Sequence, residues 1–154
     1  MKEYEINEDT LAVIPIDEKS TKIIEENREY VVAKNTYKIM DDSCQYFGST
    51  YEGRKGGSKN ILGTGYKVPI LVKEENYVIL FPSESPSLSS CIWLSLHHIQ
   101  EVKQAEDNHA IVYFKNNQKL DLLVSYRSIE NQILRSSRLE SILRERSQEK
   151  STKI

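Results

Sequence analysis

Residues 125–146 read SYRSIENQILRSSRLESILRER, and this stretch sets the architecture that we predict for the chain. Successive residues of a helix are rotated by about 100°, so apolar side chains three or four positions apart share one face. Here that face spans an arc of about 120°, and it consists of Ile129, Ile133, Leu139 and Leu143. Because a serine oxygen can accept a hydrogen bond from the first turn, Ser125 or Ser128 is expected to cap the helix. The stretch predicts one long C-terminal helix that packs on a sheet.

Four arginines lie on the other side of the same predicted helix, within an arc of about 100°. They are Arg127, Arg135, Arg138 and Arg146. A solvated helix face needs no further function, whereas a one-sided row of guanidinium groups suits a row of phosphates. Both interpretations stay open. The polar residues 148–154 are expected to form a frayed tail.

Short β-rich runs dominate the chain before this helix. The runs are 11–16, 21–24, 29–33, 68–72, 77–81, 91–96, 110–115 and 119–124. Residues 25–28 and the Asn116-Asn117-Gln118 segment each separate two such runs, which predicts two hairpins. In 11–16, Pro15 favours a strand end or a sheet edge, because proline has no N–H to donate.

A short helix is predicted over residues 37–47, where Met40, Cys44 and Phe47 are spaced i, i+4, i+7 and Gly48 follows. Together, these elements predict an α+β domain. It contains an antiparallel sheet or a partly closed barrel, a short central helix and a long C-terminal helix. A chain of 154 residues is expected to form a single domain over 1–154.

All six glycines lie between Gly48 and Gly65, in the window GSTYEGRKGGSKNILGTG. This composition predicts a long loop or a glycine-broken hairpin. Aromatic and basic side chains in and beside the window are Tyr51, Arg54, Lys55, Lys59, Tyr66 and Lys67. Such a segment either binds an anionic backbone through its cations or is a flexible loop kept soluble by its charges.

The net charge of −2 excludes a globally basic nucleic-acid binder and leaves a locally basic one. Charge is distributed unevenly. Residues 1–32 carry four basic against nine acidic side chains, a net −5, whereas residues 51–67 carry +3 and residues 127–146 carry +2. The two positive segments therefore suggest an anionic partner.

Residues capable of catalysis or metal binding are few and poorly spaced. Cys44, Cys91, His97, His98 and His109 lack paired ligand spacing. Both cysteines are interpreted as small buried hydrophobic side chains, and of the adjacent histidines one is expected to pack and one to be solvated. The glycine window also lacks a phosphate-binding loop. We expect a protein that is not an enzyme and that holds no metal or cofactor.

Membrane and export signals are missing from the sequence as well. No run approaches the ~18 apolar residues of a membrane span, and MKEYEINEDT at the N-terminus has no apolar core. Two cysteines do not form a disulfide framework. We expect a cytoplasmic protein without a membrane partner.

The segment DSCQYFGSTYEGRKGG (residues 42–57) resembles the signature of the ComK family, the competence transcription factors of Gram-positive bacteria. Further similarity runs in order through KVPILV (67–72), ILFPSESP (79–86), CIWLSLHHI (91–99) and SYRSIENQILRSSRL (125–139). The resemblance covers nearly the whole chain, and its glycine-framed basic segment is the most specific part.

This resemblance implies a nucleoid-associated activator of competence genes for DNA uptake, which binds A/T-rich promoter boxes mainly through the minor groove. It also implies a homo-oligomer on paired boxes and an adaptor that delivers the protein to an ATP-dependent protease. Arg54 and Lys55 match the GRK motif of the family and are the first candidates for DNA contact, with Lys59 and Lys67 as phosphate partners. Tyr51, the aromatic residue in the same basic window, is a further DNA-binding candidate. Second candidates are the helix arginines Arg135 and Arg138, for which a dimer interface is the competing role.

An alternative function uses the same fold without DNA. The acidic first third of the chain and the mild net charge would also suit a protein-interaction module that has weakened or lost DNA binding. This module would form a stable homo- or hetero-oligomer and would not bind duplex DNA.

Overall fold

The computed structural model describes the backbone of residues 1–152 and the side chains of residues 1–149. Within this part of the chain, nine strands and three α-helices are formed. The strands are β1 (Thr10–Asp17), β2 (Ser20–Glu25), β3 (Glu29–Val32), β4 (Ile70–Lys73), β5 (Val78–Pro82), β6 (Trp93–Ser95), β7 (Ile99–Gln104), β8 (His109–Phe114) and β9 (Lys119–Ser125). The helices are α1 (Thr36–Tyr46), α2 (Tyr51–Leu62) and α3 (Tyr126–Thr152).

The strands form two antiparallel sheets. The larger sheet has the order β3-β2-β1-β6-β5-β4, and the smaller one has the order β7-β8-β9. Neither sheet closes on itself. The predicted α+β class is therefore confirmed, and of its two predicted forms the structure has the antiparallel sheet and not the partly closed barrel. Pro15 pairs with Thr21 of β2. On the other side of β1, strand β6 pairs only with Ala12 and Val13, so β6 requires no N–H from Pro15.

Helix α3 packs as its pattern predicts. Ile129 and Leu139 are fully buried, and Ile133 and Leu143 are partly buried. The Oγ of Ser125 accepts a hydrogen bond from the N–H of Ser128 at 3.1 Å, which caps the helix start. The described part of α3 ends at Thr152. Because the segment 148–154 continues outside the described residues, its expected fraying stays a prediction.

The short central helix is also confirmed. The Asn35 side chain accepts a hydrogen bond from the Lys38 N–H at 2.8 Å and starts α1. Ile39, Met40 and Cys44 are buried beneath the larger sheet. The chain leaves the helix at Gly48, whose φ of +91° is a conformation that glycine adopts without steric cost.

The prediction of a loop or hairpin in the glycine window was wrong, because residues 51–62 form α2. Thr50 accepts a hydrogen bond from the Gly53 N–H at 2.9 Å, and Gly63 ends the helix with a φ of +76°. Ile61 and Leu62 pack against the cluster that contains Leu139 of α3. These caps and contacts outweigh the helix-propensity cost of about 1 kcal/mol for each interior glycine.

The cysteines and histidines take the structural roles expected of them. Cys44 and Cys91 are buried free thiols, and burial raises the pKa of each to about 11. The His98 side chain is mostly buried and the His97 side chain is exposed, as expected, although both lie in the 3₁₀ turn Leu96–His98 and not in a strand.

Candidate nucleic-acid interface

Helix α2, the connection 63–69 and helix α3 meet on one side of the domain. α2 packs on α3, and the connection leaves the end of α2 and crosses α3 on its way to β4. One nitrogen of Arg135, Nη2, donates to the carbonyl of Tyr66 at 2.6 Å, across 69 positions of sequence. The fold therefore brings together the two positive segments that the sequence keeps far apart.

Lys59 and Lys67 belong to this junction. The side chain of Lys59 lies over Gly65, because a Cβ at residue 65 would meet the Lys59 Cδ at 3.1 Å. The ammonium of Lys67 lies 5.3 Å from the ring centroid of Tyr66, which is 64% exposed. The junction thus carries two lysines beside an exposed aromatic ring.

Lys55 and Arg138 extend the junction along the two helices. Lys55 lies one turn before Lys59 on α2, and Arg138 lies one turn after Arg135 on α3. We call Lys55, Lys59, Lys67, Arg135 and Arg138 the basic surface. All five were site residues predicted from sequence. Lys59, Lys67 and Arg135 lie on or beside the connection, and Lys55 and Arg138 lie one helical turn from Lys59 and Arg135.

The basic surface has a distinctive electrostatic property. Among the side chains that the structure describes, no carboxylate lies within ion-pair distance of any of its five cations, whereas Arg54, Lys73 and Arg144 each have such a partner. Burial lowers the pKa of the Arg135 guanidinium, which nevertheless stays charged at neutral pH. None of these five cations is therefore paired directly with a carboxylate among the described side chains, although Glu52 lies one turn before Lys55 on the same side of α2.

Arg54 is placed differently from its neighbour Lys55. Its Nη1 lies 3.3 Å from Glu74 Oε1 in the β4–β5 turn, and its side chain is only 18% exposed. Nε is buried without a hydrogen-bond partner, beside a cavity of about 170 Å³ that Leu139 and Leu143 also line. Arg54 thus lies between α2 and its neighbours, with little surface facing solvent.

Tyr51 lies in the core. Its side chain is 5% exposed and makes edge-to-face contacts with Tyr37 and Trp93, at centroid distances of 5.2 and 6.0 Å. Burial raises its pKa to about 12, so the hydroxyl stays neutral. Its N–H donates to Asp41 Oδ1 at 2.9 Å. In this position Tyr51 anchors the start of α2.

Two glycines give the exposed side of α2 an open surface. A Cβ added at Gly56 or Gly57 would meet no atom within 4 Å, so neither glycine is required by packing in the described chain. Both residues are exposed, next to Lys55 in sequence and one turn or less from Lys59. Gly56 therefore leaves the helix backbone accessible beside Lys55 and Lys59, whereas Gly57 lies about 160° away around the helix, on the side that lines the cavity with Leu139.

Sequence reasoning missed Gln132 and Leu134. Gln132 is 1% exposed, although it is polar, and Leu134 is 65% exposed, although it is apolar. The sequence did indicate that Gln132 is buried, because its position on the helix lies inside the apolar arc that contains Ile129 and Leu139. A polar residue on a buried face is expected to be hydrogen-bonded.

Metal-binding clusters and membrane-spanning helices are absent from the part of the chain that the structure describes. No group of three His, Cys, Asp or Glu side chains suited to a metal ion occurs among the described residues. No described helix is long and apolar enough to cross a membrane.

Comparisons with known proteins agree with the resemblance seen in the sequence. The family model described as ComK protein matches residues 1–148. The chain is 38% identical over 149 residues to a protein of Bacillus subtilis (strain 168) named "Competence transcription factor", and the match covers 95% of this chain and 78% of that relative. No solved structure matches the chain. Both the extent of the family match and the identity to this relative show that the chain belongs to the ComK family.

Proposed function

We propose that this protein is a competence transcription factor that activates DNA-uptake genes by binding A/T-rich double-stranded DNA, and that it is not an enzyme. One observation carries the proposal. The basic surface gathers five cations from α2, the connection and α3, and no described carboxylate forms an ion pair with them. The name of the Bacillus subtilis relative supports the transcriptional role.

Electrostatics alone would give this surface affinity for DNA. Each lysine or arginine that neutralises a phosphate releases condensed counterions, so that log K falls with log salt by about 0.9 for each contact. The protein as a whole carries −2, so its attraction to DNA must come from a locally positive region such as this surface. Binding should therefore be strongly weakened by salt.

The dimensions of DNA indicate how the surface would reach the minor groove. An α-helix with its side chains is about 10–12 Å across, whereas the minor groove is about 6 Å wide. Neither α2 nor α3 can enter it, so both helices would lie along the phosphates. Arginine side chains from α3 and the exposed connection with Tyr66 and Lys67 are narrow enough to enter, and such groups sense the width of A/T-rich grooves.

The open side of α2 supports the same arrangement. Glycine in a helix is unfavourable, and Gly56 and Gly57 serve no packing purpose within the described chain. A helix surface without side chains lets a sugar-phosphate backbone approach the peptide backbone closely. Lys55 and Lys59 would then contact phosphates on either side.

The resemblance to the ComK family supports further partners. We propose self-association on paired boxes, control by an adaptor that delivers the protein to an ATP-dependent protease, and a nucleoid-associated location in the cytoplasm. Leu134, 65% exposed on α3 and one residue from Arg135, offers apolar surface for contact with a second copy. A role in such an interface is the competing function of Arg135 and Arg138.

The proposal is tested by titrating the protein with three fluorescent duplexes of equal length at several salt concentrations. One duplex contains paired A/T tracts, one is G/C-rich, and one has I·C pairs in place of the A·T pairs. An I·C pair keeps the minor-groove pattern of A·T and presents the major-groove pattern of G·C. We expect the A·T and I·C duplexes to bind similarly and more tightly than the G/C-rich duplex.

Two other outcomes would be decisive. Loss of binding to the I·C duplex alone would place recognition in the major groove and contradict this part of the proposal. Negligible binding to all three duplexes would contradict DNA binding itself. It would favour the protein-interaction module, with Leu123, 88% exposed on β9, as the first contact surface to test.

A further inference from the structure

We propose that Gln132 is a positioning residue for DNA binding: its buried amide fixes the connection 63–69 on α3 and holds the guanidinium of Arg135 in the basic surface. This inference rests on the proposed function. It concerns a residue that does not itself reach the surface, since Gln132 is 1% exposed.

The Gln132 amide makes three hydrogen bonds. Its Nε2 donates to the carbonyls of Lys67 at 2.8 Å and Pro82 at 2.9 Å, and its Oε1 accepts from Arg135 Nη1 at 2.8 Å. The planar amide of Gln132 thus uses both of its N–H donors and its oxygen acceptor. Neither an apolar side chain nor a carboxylate of similar size could make all three bonds.

These bonds join three parts of the fold. Pro82 ends β5 in the larger sheet, Lys67 lies in the connection, and Gln132 and Arg135 belong to α3. The connection is therefore attached to the sheet and to the helix through a single buried side chain. Arg135 adds a second attachment by donating from Nη2 to the Tyr66 carbonyl at 2.6 Å.

The backbone of the connection needs such support. Lys67 has a φ of +50°, a left-handed conformation that is unfavourable for a residue with a Cβ. The Lys67 carbonyl is the atom that Gln132 binds. Without this bond, we expect Lys67 to relax toward ordinary dihedral angles and to carry its ammonium and the Tyr66 ring away from their present positions.

Arg135 is oriented without being neutralised. Its partners are an amide oxygen and a carbonyl oxygen, both uncharged. Two of its five N–H donors are used in these bonds, and the full positive charge remains available to an anion. Because the orientation is fixed before DNA arrives, less side-chain entropy is lost on binding.

A double-mutant cycle tests the inference. Gln132→Met, Arg135→Ala and the double variant are titrated with the A/T-tract duplex at several salt concentrations, and their thermal stability is measured in parallel. We expect Gln132→Met to weaken binding about fivefold and to have a smaller effect when Arg135 is already alanine, as coupled residues do. The effect that remains comes from Lys67, whose carbonyl Gln132 also binds. The salt slope of Gln132→Met should fall by at least about 1, the change expected for Arg135→Ala.

Ser136→Ala is the matched control. Ser136 is fully buried on the same turn of α3, and its Oγ donates to the Gln132 backbone carbonyl at 2.7 Å. Its loss should lower thermal stability and leave the affinity and the salt slope unchanged. If Gln132→Met does not fold, Gln132→Glu replaces it. That variant keeps an acceptor for Arg135 but places a carboxylate beside it, which should also reduce the slope by about 1.

The outcomes separate this inference from the proposed function. Independent effects of the two substitutions, or an unchanged salt slope for both Gln132 variants, would show that Gln132 has only a structural role. Absence of binding by the wild-type protein would instead contradict the proposed function, and the inference with it.

Discussion

Arg54 of α2 forms an ion pair with Glu74 of the β4–β5 turn, with Nη1 and Oε1 3.3 Å apart. Its sequence neighbour Lys55 has no carboxylate partner among the described side chains. The two cations of the GRK segment therefore differ in their surroundings. One is held between secondary-structure elements, and the other remains available to an external anion.

We expect substitutions at these two positions to separate stability from DNA binding. Arg54→Ala removes a mostly buried stem and an ion pair, and should lower the free energy of unfolding by about 1 kcal/mol. Lys55→Ala should change it by less than about 0.5 kcal/mol and should weaken binding to DNA. Urea denaturation and fluorescence anisotropy measure the two effects. Equal losses of stability in both variants would contradict the difference in placement.

Replacing the exposed helix glycines should stabilise the protein. Gly56→Ala and Gly57→Ala each add a Cβ that meets no atom within 4 Å. Each should raise the free energy of unfolding by about 0.5–1 kcal/mol, because alanine has the higher helix propensity. If DNA approaches the side of α2 that carries Lys55 and Lys59, Gly56→Ala should also bind DNA more weakly, whereas Gly57→Ala, on the side that faces α3, should not. Anisotropy titrations would reveal this difference.

Gly63→Ala is the control for these two substitutions. Gly63 ends α2 with a φ of +76°, which alanine adopts only with strain. It should therefore destabilise the protein by about 1 kcal/mol. If alanine at residues 56, 57 and 63 changed the free energy of unfolding by similar amounts, the C-terminal boundary of α2 at Gly63 would be wrong.

Acid should weaken one contact of the N-terminal segment. Hydrogen bonds from the Lys73 ammonium and the Asn76 amide lower the pKa of Glu8 from 4.5 to about 2. A carboxyl with a lowered folded pKa stabilises the fold above its unfolded pKa, and this contribution is lost as the pH falls toward 2. Glu8→Gln should therefore cost up to about 1 kcal/mol at pH 7, and this difference should shrink below pH 4.5. A difference that stays constant down to pH 3 in urea titrations would contradict the assignment.

Both thiols should be unreactive in the folded protein. Burial raises the pKa of Cys44 and Cys91 to about 11, so little thiolate exists at pH 8. A thiol-specific disulfide reagent should modify neither cysteine at a measurable rate until guanidinium unfolds the chain. Rapid labelling of one thiol in the native state would show that its cluster opens readily.

Eight of the nine described strands and both predicted helices followed from the sequence pattern, but helix α2 and strand β7 did not. Helix α2 was hidden by its glycines, although Thr50 and Gly63 are typical start and end signals and Tyr51, Ser58 and Ile61 mark its inner side. Strand β7 was missed because a register shift between Ile99 and Glu101 breaks the alternation of period two. Contacts with distant parts of the chain stabilise both elements: α2 packs against Leu139 of α3, and β7 pairs with β8. The local composition of the two segments does not indicate these contacts.

The residues of the candidate site were easier to predict than their environments. Lysines and arginines cluster visibly in the sequence, yet only the fold shows that Arg54 has a carboxylate partner and Arg135 has none. Tyr51 was a candidate for DNA contact because it lies in a basic window, whereas its buried side chain packs against Trp93. Ion pairs and burial depend on residues distant in sequence, which composition does not reveal.

The salt dependence of DNA binding tests the central claim most directly. Wild-type protein is compared with Lys59→Ala, Lys67→Ala and Arg138→Ala, and with Lys34→Ala, whose ammonium lies 2.7 Å from both Glu3 and Asp42. We predict that each variant of the basic surface lowers the slope of log K against log salt by about 1 and that Lys34→Ala leaves it unchanged. Equal slopes for all five proteins would contradict the assignment of the basic surface as the DNA-binding site.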